Sequence, residues 1–172
     1  MIKNNMPLEN LIGDLLRARG LKLATAESCT GGLVGDRITN IPGSSDYYLG
    51  GVVAYSYEAK VALLGVSWGI LAQYGAVSRE TVLEMARGAR KAMGANIAVS
   101  ISGIAGPGGG LPNKPVGTTW TGLSAPEGDW ARIHLFNGDR TQNKASSAEA
   151  ALKFLADYLQ GNKTLEGDFR EG

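Results

Sequence analysis

The chain has 172 residues, 44% hydrophobic and 19% charged, with 17 Lys+Arg against 16 Asp+Glu. That is the size of one domain with its own core, too apolar for wholesale disorder and too balanced in charge for a general field toward nucleic acid or anionic lipid. Glycine is the anomaly: its 25 residues are roughly twice ordinary usage and mark places where the backbone bends sharply or lies close to something.

Leu8, Leu11, Ile12, Leu15 and Leu16 recur at helical spacing and predict an amphipathic helix ending near Gly20. Leu21–Ala26 reads as a strand, followed by the turn Glu27-Ser28-Cys29-Thr30-Gly31-Gly32 and a helix over Leu33–Thr39. Ile41-Pro42-Gly43-Ser44-Ser45 is a loop by composition. Gly51–Tyr55 reads as a strand, and Ser56 as the N-cap of a helix over Glu58–Leu64. The stretches Val61–Ser78 and Ala92–Asn113 carry no charge. Their glycines, prolines and polar residues mark them as buried globular structure rather than membrane spans. Ser78 caps a helix with Val82, Met85, Ala86, Ala89 and Met93 on one face, and Asn96–Ile101 reads as a central strand running into the glycine-rich Gly103–Gly110. Val116–Leu123 and Trp130–Phe136 form a hairpin across Ala125–Asp129, and Ser147–Leu159 is a closing helix. Residues 1–163 form one domain and 164–172 a polar, disordered tail.

This order predicts a three-layer α/β/α domain with a mixed, mostly parallel sheet. Ligands gather at the carboxyl ends of strands in such sheets. Three loops meet that description: Ser28–Gly32, Ser56–Lys60 and Ser102–Gly110.

Common signatures are missing. There is no phosphate loop, and Gly106-Pro107-Gly108-Gly109-Gly110-Leu111 fails the dinucleotide pattern at its last glycine. There is no Gly-x-Ser-x-Gly elbow. One histidine and one cysteine do not make a usual zinc site, so no metal is expected. The single Cys29 excludes an internal disulfide framework, and the start of the chain lacks the apolar run of a signal peptide. Both fit a cytoplasmic protein.

The reactive candidates each carry two readings. His134 is a hydrolase base or a structural histidine of its strand. Lys60, near a helix start and before Val61-Ala62-Leu63-Leu64, is a base with depressed pKa or a solvated surface group. Ser44 and Ser45 are exposed nucleophiles or loop filler. Ser28, Cys29 and Thr30 with Gly31 and Gly32 offer amides to an anion or cap the next helix. Cys29 is a nucleophile or a small buried residue. Arg140 binds phosphate or lies free on the surface.

Together, Thr25-Ala-Glu-Ser-Cys-Thr-Gly-Gly32, Ile41-Pro-Gly-Ser-Ser45, Gly50-Gly-Val-Val-Ala-Tyr55 with Lys60, Gly75-Ala-Val-Ser78 before Glu84-Met-Ala-Arg-Gly88, Gly103-Ile-Ala-Gly-Pro107 and Lys114-Pro-Val-Gly117 resemble the CinA C-terminal domain family over residues 7–160. The resemblance implies a nicotinamide-nucleotide amidase of pyridine nucleotide salvage, in stand-alone form. Such an enzyme turns nicotinamide mononucleotide into nicotinate mononucleotide and ammonia.

By that resemblance Ser45 is the nucleophile and Lys60 the base, with Tyr55 and Ser28 assisting. Thr30, Gly31, Gly32, Ser102, Gly103, Gly106 and Arg140 contact the substrate. Ser102 stands where the family has threonine, and Thr141-Gln142-Asn143-Lys144 replaces a more basic run. The implied partner is a small mononucleotide, with no nucleic acid, membrane, metal or organic cofactor, and the implied assembly is a homodimer. Two alternatives stay open: a nucleotide-binding module without turnover, and an amidase using Cys29 with Glu27 and Lys60.

Overall fold

The structure is a computed structural model in which residues 6–162 and 165–168 are described. The first helix, α1 (Leu8–Arg19), ends where Gly20 takes φ 62° and caps it. β1 (Leu23–Glu27) follows, buried along its whole length, then α2 (Leu33–Thr39). A single 3-10 turn, Ser44–Asp46, leads into β2 (Tyr48–Val53). Ser56 accepts from the Ala59 amide and starts α3 (Tyr57–Leu64), and α4 (Trp68–Tyr74) comes next. Ser78 caps α5 (Arg79–Met93) through the Thr81 amide. β3 (Ile97–Gly103), β4 (Thr118–Ala125), β5 (Gly128–Leu135), α6 (Arg140–Leu159) and the short β6 (Gly167–Asp168) complete the chain.

The strands form one sheet in the order β2-β1-β3-β4-β5-β6. β2, β1 and β3 run parallel, β4 is antiparallel to both β3 and β5, and β6 is parallel to β5. Side-chain alternation along the strands sorts the core into two faces. Leu23, Ile97, Val99, Ile101 and Leu123 pack with α1, α2 and α6. Ala24, Ala26 and Ala98 face α5 and α3 through Met85, Ala89 and Leu64. The three-layer mixed sheet expected from the sequence is the observed one, and the carboxyl ends of β1, β2 and β3 lie side by side.

The departures have physical causes. α4 is unannounced because only Leu71 of its seven residues is buried, leaving no periodic face to read. For the same reason residues 61–78 are not buried throughout: Leu63 is 55% and Trp68 53% exposed on the outer side. α6 starts at Arg140, not Ser147, because Asp139 and Gln142 form a reciprocal capping box. Of the expected tail, residues 165–168 are described and Gly167–Asp168 pair with β5; the rest lies outside the described residues. No described helix is long and apolar enough to cross a membrane.

One glycine sets the seat of α3. A Cβ on Gly88 of α5 would lie 1.9 Å from the Leu64 carbonyl oxygen at the end of α3, so only a residue without a side chain lets the two helices approach this closely. Gly88→Ala is expected to lower stability by about 2 kcal/mol by pushing α3 outward. Urea denaturation checks it; an unchanged midpoint sinks it.

Candidate active site

Glu27 is the last residue of β1 and pairs with Ile101 of β3, so Ser28 follows beside Ser102. The Ser28 amide donates to Ile101 O at 3.0 Å and fixes that register. Glu27 and Cys29 lie toward α2 and α6, and Ser28 between them turns toward α3. Lys60, on α3, is fully buried. Its Nζ lies 3.0 Å from Ser28 Oγ, 2.8 Å from Ala54 O and 3.4 Å from Tyr55 O. Those two carbonyls belong to the segment leaving β2. Residues from two successive strand-to-helix connections thus meet at one nitrogen.

Burial pushes the Lys60 amine down to about 8, because a dry setting disfavours the ammonium form. No carboxylate forms an ion pair with it among the described residues. Both readings of Lys60 in the sequence concerned its exposure, and the structure settles that point: it is a buried, depressed lysine on a serine hydroxyl.

The backbone amides after Ser28 can be followed one by one. Gly31 donates to Ser28 O and Leu33 to Thr30 O. Gly32 and Val34 donate to Glu27 Oε2 at 3.1 Å each, and Gly35 to Glu27 Oε1 at 2.8 Å. The amides of Cys29 and Thr30 donate to no partner among the described residues. Gly31 and Gly32 take φ 64° and 103°, a left-handed bend open to glycine.

The remaining expected site residues separate into groups. Thr30 is buried and its hydroxyl donates to Glu27 Oε2 at 2.6 Å, so neither that hydroxyl nor the Gly32 amide faces a ligand. Gly103 serves packing: a Cβ there would lie 2.5 Å from Thr119 Oγ1 and 3.1 Å from Cys29 Sγ. Ser102 is buried at the end of β3. Arg140, exposed at the start of α6, donates from Nη1 to Gly106 O at 2.6 Å and from Nη2 to the Tyr55 hydroxyl at 2.9 Å. The Tyr55 side chain therefore stands at the rim beside Arg140, and Tyr55 reaches Lys60 through its carbonyl alone.

Ser45 is the expectation that the geometry does not support. It is exposed in the 3-10 turn that precedes β2, whereas Lys60 lies beyond the other end of that strand. Six residues of strand span about 20 Å, so this chain's Ser45 and Lys60 are held apart by the sheet itself. Chain order alone puts Ser45 before the strand and Lys60 after it, so the length of the intervening strand was the available signal.

Cys29 is buried on the α6 side, and burial pushes its thiol up to about 11. His134 stacks on Phe136 with the rings 5.6 Å apart. Both belong to the cores of their elements. A cleft of about 940 Å³ near His134, lined among others by Arg37, Arg132 and Lys153, holds none of the residues around Lys60. Its arginines are paired, Arg37 with Glu9 and Glu149, and Arg132 with Asp157. No group of three or more His, Cys, Asp and Glu among the described residues is arranged to hold a metal ion.

Sequence reading missed two residues. Asn143 is buried and ties the glycine-rich loop to α6, donating to Ala105 O at 3.0 Å and Gly138 O at 2.9 Å. Lys144, one helical turn from Arg140, has its Nζ 4.0 Å from where a Cβ on Gly31 would stand. The i, i+4 spacing from Arg140 was the available signal; it was hidden because α6 was expected to begin later.

A sequence model of the CinA C-terminal domain matches residues 5–159. The chain belongs to the CinA C-terminal domain family. Among its relatives, the CinA-like protein of Salinibacter ruber is 51% identical over 149 residues, which are 87% of this chain and 36% of that protein. A putative competence-damage inducible protein of Moorella thermoacetica is 53% identical over 148 residues, 86% of this chain and 36% of its own length. The chain thus spans well under half the length of these curated relatives. Solved CinA-family structures are closer in size. The competence damage-inducible protein A of Klebsiella pneumoniae matches with a TM-score of 0.87 at 36% identity, covering 91% of this chain and 97% of that one. The competence/damage inducible protein CihA of Agrobacterium tumefaciens matches with a TM-score of 0.82 at 38% identity, covering 93% and 99%. Three of these four names refer to competence and damage, and none specifies a reaction.

Proposed function

We propose that this CinA domain is a nicotinamide mononucleotide amidase whose nucleophile is Ser28 and whose base is Lys60. The observation that carries the reading is the surroundings of Lys60 Nζ. A neutral amine has two hydrogens and one lone pair. The carbonyls of Ala54 and Tyr55 accept the hydrogens, and the remaining direction faces Ser28 Oγ at 3.0 Å. An amine pushed down to about 8 is substantially neutral in mildly alkaline solution and still holds a proton readily.

In this mechanism the Lys60 lone pair takes the Ser28 proton while Oγ attacks the carboxamide carbon. The oxyanion is met by the amides of Cys29 and Thr30, the two left without internal partners. Lys60 then returns its proton to the amide nitrogen, the C–N bond breaks and ammonia leaves. Water attacks the acyl-enzyme, Lys60 takes a proton from it, and the nicotinate product departs as Ser28 is re-protonated. Arg140 and Lys144 supply positive charge for the substrate phosphate. The role that the resemblance assigned to Ser45 passes to Ser28, and the Cys29 alternative loses its basis because a thiol held near 11 yields little thiolate.

The test is incubation of the folded protein with nicotinamide mononucleotide, reading ammonia and nicotinate mononucleotide together. Equal amounts of both are expected. Saturable binding with no release of ammonia overturns the amidase reading and favours a nucleotide-binding module.

A further inference from the structure

Glu27 is 2% exposed and its carboxylate is hydrogen-bonded to neither Lys60 nor Ser28 Oγ, yet it accepts four hydrogen bonds from the turn that carries Ser28. Resting on the Ser28–Lys60 reading, we propose that Glu27 is a positioning residue that shapes the oxyanion site by holding the turn and occupying three of its amides that must not serve it. Of the amides from Cys29 to Gly35, three go to Glu27 and two to carbonyls within the turn. The pair left over is the pair next to the nucleophile.

The alternation at the end of β1 makes this possible. Glu27 lies on the α2 side of the sheet and Ser28 on the α3 side, so one residue anchors the turn from beneath while the next presents its hydroxyl above. The anchor also fixes specificity. With its amides at Gly32, Val34 and Gly35 already bound to an internal carboxylate, the start of α2 does not receive a substrate phosphate. The phosphate is left to Arg140 and Lys144 at the start of α6, a separation that sets how far the anionic group of a substrate stands from its amide.

Glu27→Gln keeps the side-chain volume but sets an NH₂ against at least one backbone N–H in either orientation. Misplacement of the turn by about 1 Å costs on the order of 100-fold in rate. The experiment labels Ser28 with a fluorophosphonate: Oγ bonds to phosphorus, fluoride leaves, and the Oγ proton passes to Lys60. Mass spectrometry gives both the rate constant and the final stoichiometry. Alongside it, kcat and KM for nicotinamide mononucleotide are measured.

Glu27→Gln is expected to label to full stoichiometry with a rate constant reduced about 100-fold, to lose kcat in parallel and to keep KM within about threefold. Thr30→Val, which removes one of the four contacts, is expected to show the same pattern with a loss of about tenfold. A lower stoichiometry at an unchanged rate constant means that Glu27 serves folding alone and overturns the proposal, as does an unchanged rate at full stoichiometry. If the wild type labels at Ser28 but releases no ammonia, the amidase reading fails while the labelling rates still decide the role of Glu27. If the wild type does not label at Ser28, both fall.

Discussion

Ser28→Ala is expected to abolish ammonia release from nicotinamide mononucleotide, with a loss of kcat on the order of 10⁴-fold or more. Ser45→Ala is expected to leave kcat within about threefold, as a substitution on an exposed turn. The contrast matters more than either result alone. Both serines lie in motifs that resemble the family, but only Ser28 has its Oγ within 3.0 Å of Lys60 Nζ. Binding titrations should find the nucleotide still bound by the Ser28 variant, since the phosphate contacts proposed above are at the start of α6. A Ser45 variant as inactive as Ser28→Ala, while folded, would sink the assignment.

Lys60→Met is expected to lower kcat by about 10³-fold or more, at the upper end of what a positioned base supplies, while keeping an apolar stem in the buried slot. The pH dependence carries the sharper signature. If neutral Lys60 is the base, the wild-type rate rises with pH around a midpoint near 8 and levels above it; the residual rate of the variant lacks that limb. Stability changes in the same window with a definite sign. The folded protein releases the Lys60 proton near 8, whereas the unfolded chain retains it to the ordinary lysine value of 10.5. Between those values the unfolded state binds more protons, so stability rises with pH. Below 8 both states are protonated and the folded state carries the full cost of a buried ammonium. Denaturation at pH 7 and pH 10 should therefore show Lys60→Met gaining more over wild type at the lower pH. A wild-type rate flat from pH 6 to 10 refutes the base assignment.

The sequence announced the layers because each central strand is short, apolar and followed by a turn rich in Gly or Ser. It announced α3 and α5 through the side-chain caps at Ser56 and Ser78. It also located the three loops at the carboxyl ends of β1, β2 and β3, and with them the connections that carry Ser28 and Lys60. It did not say which hydroxyl meets that lysine, since this depends on the carboxyl ends of β1 and β2 lying side by side, and the pattern along one strand does not name its neighbour. The roles of Glu27 and Thr30 were equally hidden: a carboxylate that accepts a hydroxyl three residues ahead and amides five to eight residues ahead looks, in the linear chain, like any charge before a helix. Lys144 was obscured by placing the start of α6 seven residues late, although Asp139 and Gln142 carry the capping-box spacing.

The seating of β2 has a consequence for how the protein loses activity. Among the described residues this strand has one neighbour, β1, and stands at the border of the sheet. Yet the segment leaving it supplies the carbonyls that hold Lys60 and leads into the helix that carries it. β2 joins the sheet through a single ladder, broken near its start by the register shift at Leu23 and Ala24, while α3 is seated separately against α5 at Gly88. Border ladders are among the easier regions to open locally, well before a buried interior gives way. The carbonyls that hold Lys60 are thus borne by the segment leaving a border strand, and their grip can be lost while β1, β3 and β4 remain intact.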